Sequence, residues 1–474
     1  MAVSSSQRTH YSIVITSFFF FFLLSLVYFS KRSLEPSISF YRHPWPESLS
    51  FSSNIPTPTP TPTTTDLSIP PSKHPQPIST IQLPSLPLNQ PPDPLPNPIQ
   101  PAVAPAEDDN PLPETVNREE KQCDLYIGNW VKDDEYPLYR PSSCPYVDEA
   151  FNCKDNGRPD VDYTKWRWKP DGCDLPRFNA TDFLERLRGR RLLLVGDSMN
   201  RNQFESMLCL LREALPNKSR MYETRGNKIT KGRGYFIFKF KDYDCTVEFC
   251  RSHFLVKEGI RLNSKGQSNP TLLIDRIDKT YSRWKRADIL VFNTGHWWTH
   301  GKTARGKNYY QEGNYIYPQF DATEAFRRAM KTWGKWIDGH MNPKKKLVFY
   351  RGYSAAHFRG GDWDSGGTCK GETEPIASAS GAFIDTHPLK MKIVEEVIRE
   401  MRFPVILLNV TRLTNFRKDG HPSIYRKTAT EGRKLSTRRQ DCSHWCLPGV
   451  PDAWNELIYA SLVMKQTPSL RSKR

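Results

Sequence analysis

The sequence lacks the patterns that would assign it to several common classes of protein. Its ten cysteines include no C-x-x-C pair, which argues against a zinc site, and no nucleotide-binding loop is apparent. Acidic residues are fewer than basic ones, 51 against 68, so the formal net charge is +17. That excess is typical of a protein that binds a polyanion, either a nucleic acid or an acidic polysaccharide, but it also occurs on an ordinary solvated surface. We expect neither a bound metal nor a resident cofactor.

Long apolar runs are scarce, and one of them, residues 11–30, has the length needed to cross a bilayer. No clear small-residue cleavage site follows it. We therefore interpret it as an uncleaved anchor preceded by a cytosolic tail, residues 1–10, with a cleaved signal peptide as the alternative. Arg8 precedes the run while Lys31 and Arg32 follow it, a distribution that mildly opposes a lumenal carboxyl-terminal side.

Apolar periodicity is absent from residues 31–120. The stretch from Pro44 to Pro113 contains 21 of the 39 prolines in the chain. Proline at that density favours the extended polyproline II conformation and cannot bury a core. The sequence therefore predicts a disordered stem that holds a folded domain off the membrane.

The cysteines all lie beyond this stem. They are Cys123, Cys144, Cys153, Cys173, Cys209, Cys245, Cys250, Cys369, Cys442 and Cys446. An even number of cysteines in a membrane-targeted chain indicates disulfides and an oxidising compartment. Glycosylation sequons at Asn179, Asn217 and Asn409 are compatible with that compartment. We therefore expect the rest of the chain to be lumenal, which disfavours a nucleic-acid partner and favours an acidic polymer such as a uronic-acid polysaccharide.

A short apolar run, Leu192 to Val195, predicts a strand buried on both faces. Gly196, Asp197 and Ser198 follow it and precede apolar residues at helical spacing. A serine there lies at the carboxyl end of a strand and near the positive end of a helix dipole, which suits a nucleophile. The alternative is that Asp197 or Ser198 only caps the helix.

Two other polar segments predict partners for this serine. Asp441 and His444 are three residues apart, so the carboxylate can hold one ring nitrogen while the other faces a nucleophile. Asn293 follows a predicted strand, 288–292, where its amide could face an oxyanion, although a turn asparagine is the alternative reading. Together the three segments suggest a Ser-His-Asp triad.

Strands and helices alternate along the domain, which predicts an open, doubly wound, mostly parallel α/β sheet with its ligand site at the carboxyl ends of the strands. We place the domain at 181–474 and a cysteine-rich cap packed against it at 121–180. The further predicted strands are 235–240, 245–250, 346–350 and 405–408, and the predicted helices are 322–337 and 389–401.

Three motifs resemble the plant trichome birefringence-like family, whose members are Golgi O-acetyltransferases acting on cell-wall polysaccharides. They are Gly196-Asp197-Ser198-Met199, Asn293-Thr294-Gly295-His296-Trp297-Trp298 and Asp441-Cys442-Ser443-His444-Trp445-Cys446-Leu447-Pro448-Gly449. The resemblance covers nearly all of 123–464, including the cysteine-rich segment. It implies an SGNH/GDSL-like fold and triad, distinct from the α/β-hydrolases and their G-x-S-x-G motif.

Carried over to this sequence, the resemblance makes Ser198 the nucleophile, His444 the base and Asp441 its orienter. Asn293 and the Ser198 backbone N–H would form the oxyanion hole, while the glycine donor of the SGNH pattern has no clear counterpart here. Further motif residues and candidate substrate contacts are Gly196, Asp197, Gly295, His296, Trp297, Trp298 and Trp445.

With this resemblance we expect Cys442 and Cys446 to fix the histidine loop through disulfides to Cys369 and Cys153. The other expected pairs are Cys123–Cys173 and Cys144–Cys209, with Cys245 and Cys250 unpaired. Ten cysteines allow many other connectivities.

The resemblance implies a single-pass type II Golgi membrane protein that acetylates pectin or xylan by double displacement. The partners would be the polysaccharide acceptor, an acetyl donor, for which acetyl-CoA is a candidate, and the Golgi membrane. An acetylesterase with the same triad and a non-catalytic wall-polymer-binding protein are the alternatives.

Overall fold

A computed structural model describes residues 123–262, 265–376, 388–425 and 440–466. The predicted cytosolic tail, anchor and stem lie outside these residues. Within the described ranges, every helix is too short or too polar to cross a bilayer.

The described chain contains thirteen strands and seven α-helices. The strands are β1 (Gly128–Lys132), β2 (Trp166–Pro170), β3 (Arg191–Gly196), β4 (Met221–Glu223), β5 (Tyr235–Phe240), β6 (Cys245–Arg251), β7 (Val256–Leu262), β8 (Ser268–Ile277), β9 (Ile289–Phe292), β10 (Tyr310–Glu312), β11 (Tyr315–Ile316), β12 (Leu347–Arg351) and β13 (Ile406–Leu408). The helices are α1 (Ala180–Arg186), α2 (Ser198–Arg212), α3 (Tyr281–Trp284), α4 (Ala322–His340), α5 (Leu389–Glu400), α6 (Thr411–Asn415) and α7 (Val450–Gln466).

The main sheet has seven strands in the order β13-β12-β9-β3-β6-β5-β4. The five strands from β13 to β6 are mutually parallel, and β5 and β4 extend the sheet antiparallel at one edge. The central strand β3 pairs with β9 on one side and β6 on the other. The mostly parallel α/β sheet predicted from the sequence is therefore present, with an antiparallel edge.

Alternation along β3 shows how the sheet acquires a core on each face. Leu192 and Leu194 point into a cluster with apolar residues of α2 and α7. Leu193 and Val195 point into a second cluster with residues of α4 and α5. Because successive strand residues face opposite sides, a continuous apolar run is what a strand between two helical layers requires.

A second, four-stranded sheet in the order β11-β10-β8-β7 lies outside the sequence prediction. Only the first residue of β7, Val256, is buried; the later residues alternate between half-buried and exposed, and the apolar Ile260 and Leu262 are among the exposed ones. β8 starts with exposed polar residues and is buried from Thr271 to Ile274. Neither pattern resembles a buried parallel strand, so the apolar runs did not reveal this sheet.

The cysteine-rich cap contains the antiparallel strand pair β1–β2 and the mostly irregular segment between these strands, which contacts α2 and α7. Four disulfides are present: Cys123–Cys173, Cys144–Cys209, Cys153–Cys446 and Cys369–Cys442. Cys245 and Cys250 are unpaired and buried. These are the pairings that the sequence analysis expected. Two of them join the cap to the main domain, since Cys209 lies on α2 and Cys446 lies just after His444.

Candidate active site

Three side chains from distant segments form a continuous hydrogen-bonded chain. Nε2 of His444 lies 2.7 Å from Oγ of Ser198, although 246 positions separate them. Nδ1 of His444 lies 2.9 Å from Oδ2 of Asp441. Because the carboxylate can only accept, His444 carries its proton on Nδ1 and presents the lone pair of Nε2 to the serine hydroxyl. The His444 side chain is 22% exposed, so the pair is open to a ligand.

The amino terminus of α2 positions the serine. Asp197 is the N-cap, and its Oδ1 accepts from the backbone N–H of Met199 at 2.9 Å. Ser198 is therefore the first residue of the helix, and the capping function belongs to its neighbour. The partial positive charge of the helix terminus favours negative charge that develops beside Ser198.

Gly196 and Asn293 are in close contact. A Cβ built on Gly196 would lie 1.9 Å from Oδ1 of Asn293, so only glycine leaves room for this side chain. Oδ1 of Asn293 accepts from the Asp197 N–H at 3.2 Å, and its Nδ2 donates to Oδ1 of Asp197 at 2.9 Å. The predicted oxyanion residue is thus bound to the cap of α2, and one of its two amide hydrogens is committed there. Its role as an oxyanion donor stays a prediction.

Basic and neutral groups surround the buried carboxylate of Asp197. Nδ1 of His296 lies 3.9 Å from Oδ2 of Asp197, and Nε2 of His296 donates to the carbonyl oxygen of Ser354 at 2.9 Å. Burial lowers the pKa of His296 to about 4, against the opposing attraction of Asp197, so the ring is neutral at physiological pH. It packs parallel to the ring of Tyr353, with 4.5 Å between centroids.

A buried cation, Arg351, and a half-buried one, Lys390, complete this cluster, and the sequence analysis missed both. Burial lowers the pKa of Arg351 to about 10 and that of Lys390 to about 8, in each case against the attraction of Asp197. Nζ of Lys390 donates to the carbonyl oxygen of Gly295 at 3.0 Å, where the backbone adopts φ 148°. Arg351 could have been suspected, because it directly follows a predicted strand; Lys390 is the second residue of α5 and gave no such signal.

The three tryptophans singled out by the motifs have different environments. Trp298 is buried among aromatic residues of the core, and its Nε1 donates to Thr294. Trp445 is also buried and donates to Ser354 at 2.9 Å. The expectation that these two contact substrate is therefore wrong, because neither indole reaches the surface. Trp297 is partly exposed, and its ring lies 4.0 Å from that of His253.

The sequons also differ in accessibility. Asn179 and Asn217 are exposed and cap helical turns, accepting from the N–H groups of Asp182 and Ser219. Asn409 is half-buried at the end of β13, and its amide oxygen is buried. Only the first two present their side chains on an open surface.

One cavity of the described chain lies away from the triad, and none of the triad residues lines it. The cavity, of about 520 Å³, lies between β8 and α4 and is lined by Asp275, Arg328, Lys331 and Trp336 among others. Within the described ranges, no group of three or more histidine, cysteine, aspartate or glutamate side chains is arranged to hold a metal ion.

Comparison with known proteins identifies the family. Residues 121–174 match the PMR5 N terminal Domain, and residues 175–461 match PC-Esterase, the GDSL/SGNH-like Acyl-Esterase family found in Pmr5 and Cas1p. Ser198, Asn293 and His444 all lie within the second match.

Curated relatives from Arabidopsis thaliana agree with this. The chain is 51% identical over 356 residues to Protein trichome birefringence and 53% identical over 347 residues to Protein trichome birefringence-like 1. These alignments cover 75% and 73% of this chain but only 58% and 62% of the relatives. Protein trichome birefringence-like 6 is 51% identical over 358 residues, covering 75% of this chain and 74% of its own length. The chain therefore belongs to the trichome birefringence-like family and carries its GDSL/SGNH-like acyl-esterase domain.

Proposed function

We propose that the protein is an O-acetyltransferase that transfers acetyl groups to hydroxyls of plant cell-wall polysaccharides, pectin or xylan. The observation that carries this proposal is the hydrogen-bonded chain Ser198–His444–Asp441, which has the geometry of an activated serine nucleophile. Membership of an acyl-esterase family supports acyl chemistry at this serine.

The proposed reaction is a double displacement. Nε2 of His444 takes the hydroxyl proton while Oγ of Ser198 attacks the acetyl carbonyl of the donor. His444 then passes that proton to the leaving group, and acetyl-serine remains. In the second half, the same nitrogen accepts the proton of a sugar hydroxyl, whose oxygen attacks the acetyl-serine. The proton returns to Ser198 as the acetylated sugar leaves.

Each tetrahedral intermediate needs donors for its oxyanion. The Ser198 backbone N–H at the start of α2 and the second amide hydrogen of Asn293 are our candidates. The loss of one such donor lowers the rate about a hundredfold or more. Acetyl-CoA is a candidate acetyl donor by its chemistry, since a thioester supplies both the acetyl group and a good leaving group.

An acetylesterase is the second candidate, because the family that the chain matches is a GDSL/SGNH-like acyl-esterase family. In that case water replaces the sugar hydroxyl in the second half. Incubation with labelled acetyl donor and deacetylated polymer separates the two: the transferase puts label on the polymer, whereas the esterase releases it as acetate. Ser198→Ala should abolish transfer and retain polymer binding; transfer that survives the substitution would disprove the proposed role of Ser198.

A cationic and aromatic cluster supports an acidic acceptor. Nζ of Lys302 lies 4.0 Å from the ring centroid of Trp363 and 5.1 Å from that of Trp297. Trp363 is 43% exposed, so one indole face is available for stacking against a sugar. Burial and, to a lesser extent, the nearby Lys231 lower the pKa of Lys302, and the attraction of Asp364 opposes them only in part. A carboxylate placed between these two cations would relieve their repulsion, as a uronic acid residue could.

This acceptor preference has its own test. We expect Lys302→Gln to raise KM for homogalacturonan roughly tenfold and to leave KM for neutral mannan unchanged, since only the charged acceptor loses an ion pair. Lys331→Gln, which removes the same charge from the distant cavity beside α4, is the matched control. Equal effects on both acceptors would show that Lys302 does not select for charge.

We also propose that the protein is a single-pass type II Golgi protein with this domain in the lumen. The four disulfides support an oxidising compartment. Protease protection of an epitope at the carboxyl terminus in intact microsomes tests the orientation.

A further inference from the structure

Two buried histidines lie beneath the loop that carries His444. Nδ1 of His421 lies 2.7 Å from the carbonyl oxygen of His444. Nε2 of His421 lies 2.7 Å from Nδ1 of His357, whose Nε2 lies 2.9 Å from the carbonyl oxygen of Asn415. His421 is 2% exposed and His357 is 7% exposed. The ring of His421 stacks on that of Trp445, with 4.1 Å between the ring centroids.

The hydrogen-bond partners determine where the protons must be. A carbonyl oxygen only accepts, so Nδ1 of His421 and Nε2 of His357 must each carry a proton. A neutral imidazole has one N–H, so with both rings neutral the two facing nitrogens would present lone pairs to each other at 2.7 Å. The contact becomes a hydrogen bond only when one further proton lies between them. The pair completes all three hydrogen bonds with three protons, and therefore with one positive charge.

We propose that His357 and His421 share this proton and that the protonated pair positions the His444 backbone for proton transfer with Ser198. The inference rests on the proposed function. If the shared proton is lost, only two protons remain for the three hydrogen bonds, and one hydrogen bond must break. These three include the hydrogen bond from His421 to the carbonyl oxygen of His444, the base of the triad. His357 and His421 are thus positioning residues rather than catalytic ones.

Charged groups on several segments surround the pair. Asp419 is ion-paired with Arg417 at 2.8 Å, and Arg158 donates to the carbonyl oxygens of both Asp419 and His421. Burial lowers the pKa of His357 and of His421.

The nearby acids oppose this effect. Asp419 and Glu372 raise the pKa of His357, and Asp441 raises that of His421. Glu372 itself pairs with Arg359 and Lys418. His357 and, more weakly, His444 lower the pKa of His421 in the same direction as burial, and Lys418 does the same to His357. The pKa of each ring is lowered on balance, so it is the ring–ring hydrogen bond, with both outer nitrogens committed to carbonyl oxygens, that retains the shared proton, and this proton leaves as the pH rises.

The primary experiment observes this proton directly. The full-length chain, labelled with ¹⁵N-histidine, is titrated from about pH 5 to about pH 8, the range in which histidines change charge. We expect one downfield N–H–N proton that couples two ring nitrogens at low pH and disappears as the pH rises. It should be absent from His357→Gln and present in Ser198→Ala. Two neutral rings throughout the titration would overturn the proposal, whatever the activity.

Activity provides the second arm. The amide of His357→Gln can donate to His421 without an extra proton, so this variant should retain transfer and lose the alkaline fall of kcat seen in the wild type. His421→Ala should lower kcat about tenfold to a hundredfold with KM unchanged, because the base is misplaced. His340→Gln, far from the loop, is the control. An alkaline limb that persists in His357→Gln overturns the proposal, whereas a shared proton without any acetyl transfer contradicts only the proposed function.

Discussion

Asn202 and Trp445 exchange two hydrogen bonds. Oδ1 of Asn202 accepts from the backbone N–H of Trp445 at 2.8 Å, and Nδ2 donates to its carbonyl oxygen at 3.1 Å. Asn202 lies one helical turn after Ser198 on α2, while Trp445 follows His444 in the loop. The helix that carries the serine therefore also fixes the backbone beside the histidine.

We expect Asn202→Ala to lower kcat for acetyl transfer by roughly tenfold to a hundredfold, because a small displacement of the base disrupts its alignment with Ser198. KM for the acceptor should change little. Steady-state kinetics on labelled polymer measures both, and circular dichroism confirms that the fold remains. An unchanged kcat would mean that other contacts suffice to hold the loop.

The contact between Gly196 and Asn293 predicts that Gly196→Ala is inactive. The added methyl group would overlap Oδ1 of Asn293, so either the amide or the end of β3 must move. We expect a destabilisation of about 1–3 kcal/mol together with a loss of activity greater than tenfold. Gly339→Ala in α4 is the matched control, since no atom lies within 4 Å of its Cβ position. If Gly196→Ala were as active as the control, the close approach would be irrelevant to the site.

The disulfides on either side of His444 should matter more to activity than one remote from it. The Cys153–Cys446 pair joins the loop to the cap across 293 residues, and removing such a link costs about 2–5 kcal/mol. We expect Cys153→Ser with Cys446→Ser to lower kcat at least tenfold in the fraction that stays folded. Cys123→Ser with Cys173→Ser should lower thermal stability but not kcat. Similar kcat losses in both double variants would show that the effect is global.

The cap is held to α7 by hydrogen bonds to carboxyl groups that are protonated more readily than usual. Glu456 accepts from the hydroxyl of Tyr136, and Asp452 accepts from that of Tyr139 at 3.1 Å. Burial raises the pKa of Glu456 to about 7 and that of Asp452 to about 6. The folded state thus retains protons that the unfolded chain releases near pH 4.

Stability should consequently fall as the pH rises through this range. The two protonated carboxyl groups contribute fully to the free energy of unfolding below the ordinary carboxyl pKa. This contribution is lost as the pH rises through about 6 to 7, a change on the order of a few kcal/mol. Chemical denaturation at pH 5 and pH 8 measures it. Glu456→Gln should reduce the dependence, whereas Glu400→Gln, whose side chain is 64% exposed, should not. A stability that increases with pH would contradict this explanation.

The sequence predicted those parts of the molecule that depend on local pattern. The apolar run at Leu192–Val195, the glycine that follows it and the D-x-x-H spacing of Asp441 and His444 each have a local physical reason. All three occur in the structure where that reason requires them. The exposed half of β7 has no such pattern, so its sheet was missed.

Residue type alone did not show which side chains are buried. Trp298 and Trp445 were assigned to substrate contact, yet tertiary packing encloses both. Lys390 binds the carbonyl oxygen of Gly295, which lies 95 positions earlier in the sequence. Asn202 is hydrogen-bonded to Trp445, although 243 positions separate them. Such contacts follow from the packing of whole elements, which spacing along the chain does not specify.

The central claim is that Ser198 carries the acetyl group between donor and acceptor, and intermediate trapping tests it most directly. The full-length protein is mixed with labelled acetyl donor alone, quenched in acid, digested and sequenced by mass spectrometry. We predict one labelled acetyl ester on the peptide containing Ser198, absent from Ser198→Ala and discharged onto deacetylated polymer when that is added before the quench. Label on the polymer with none on Ser198 at any time, or equal transfer by Ser198→Ala, would contradict the mechanism.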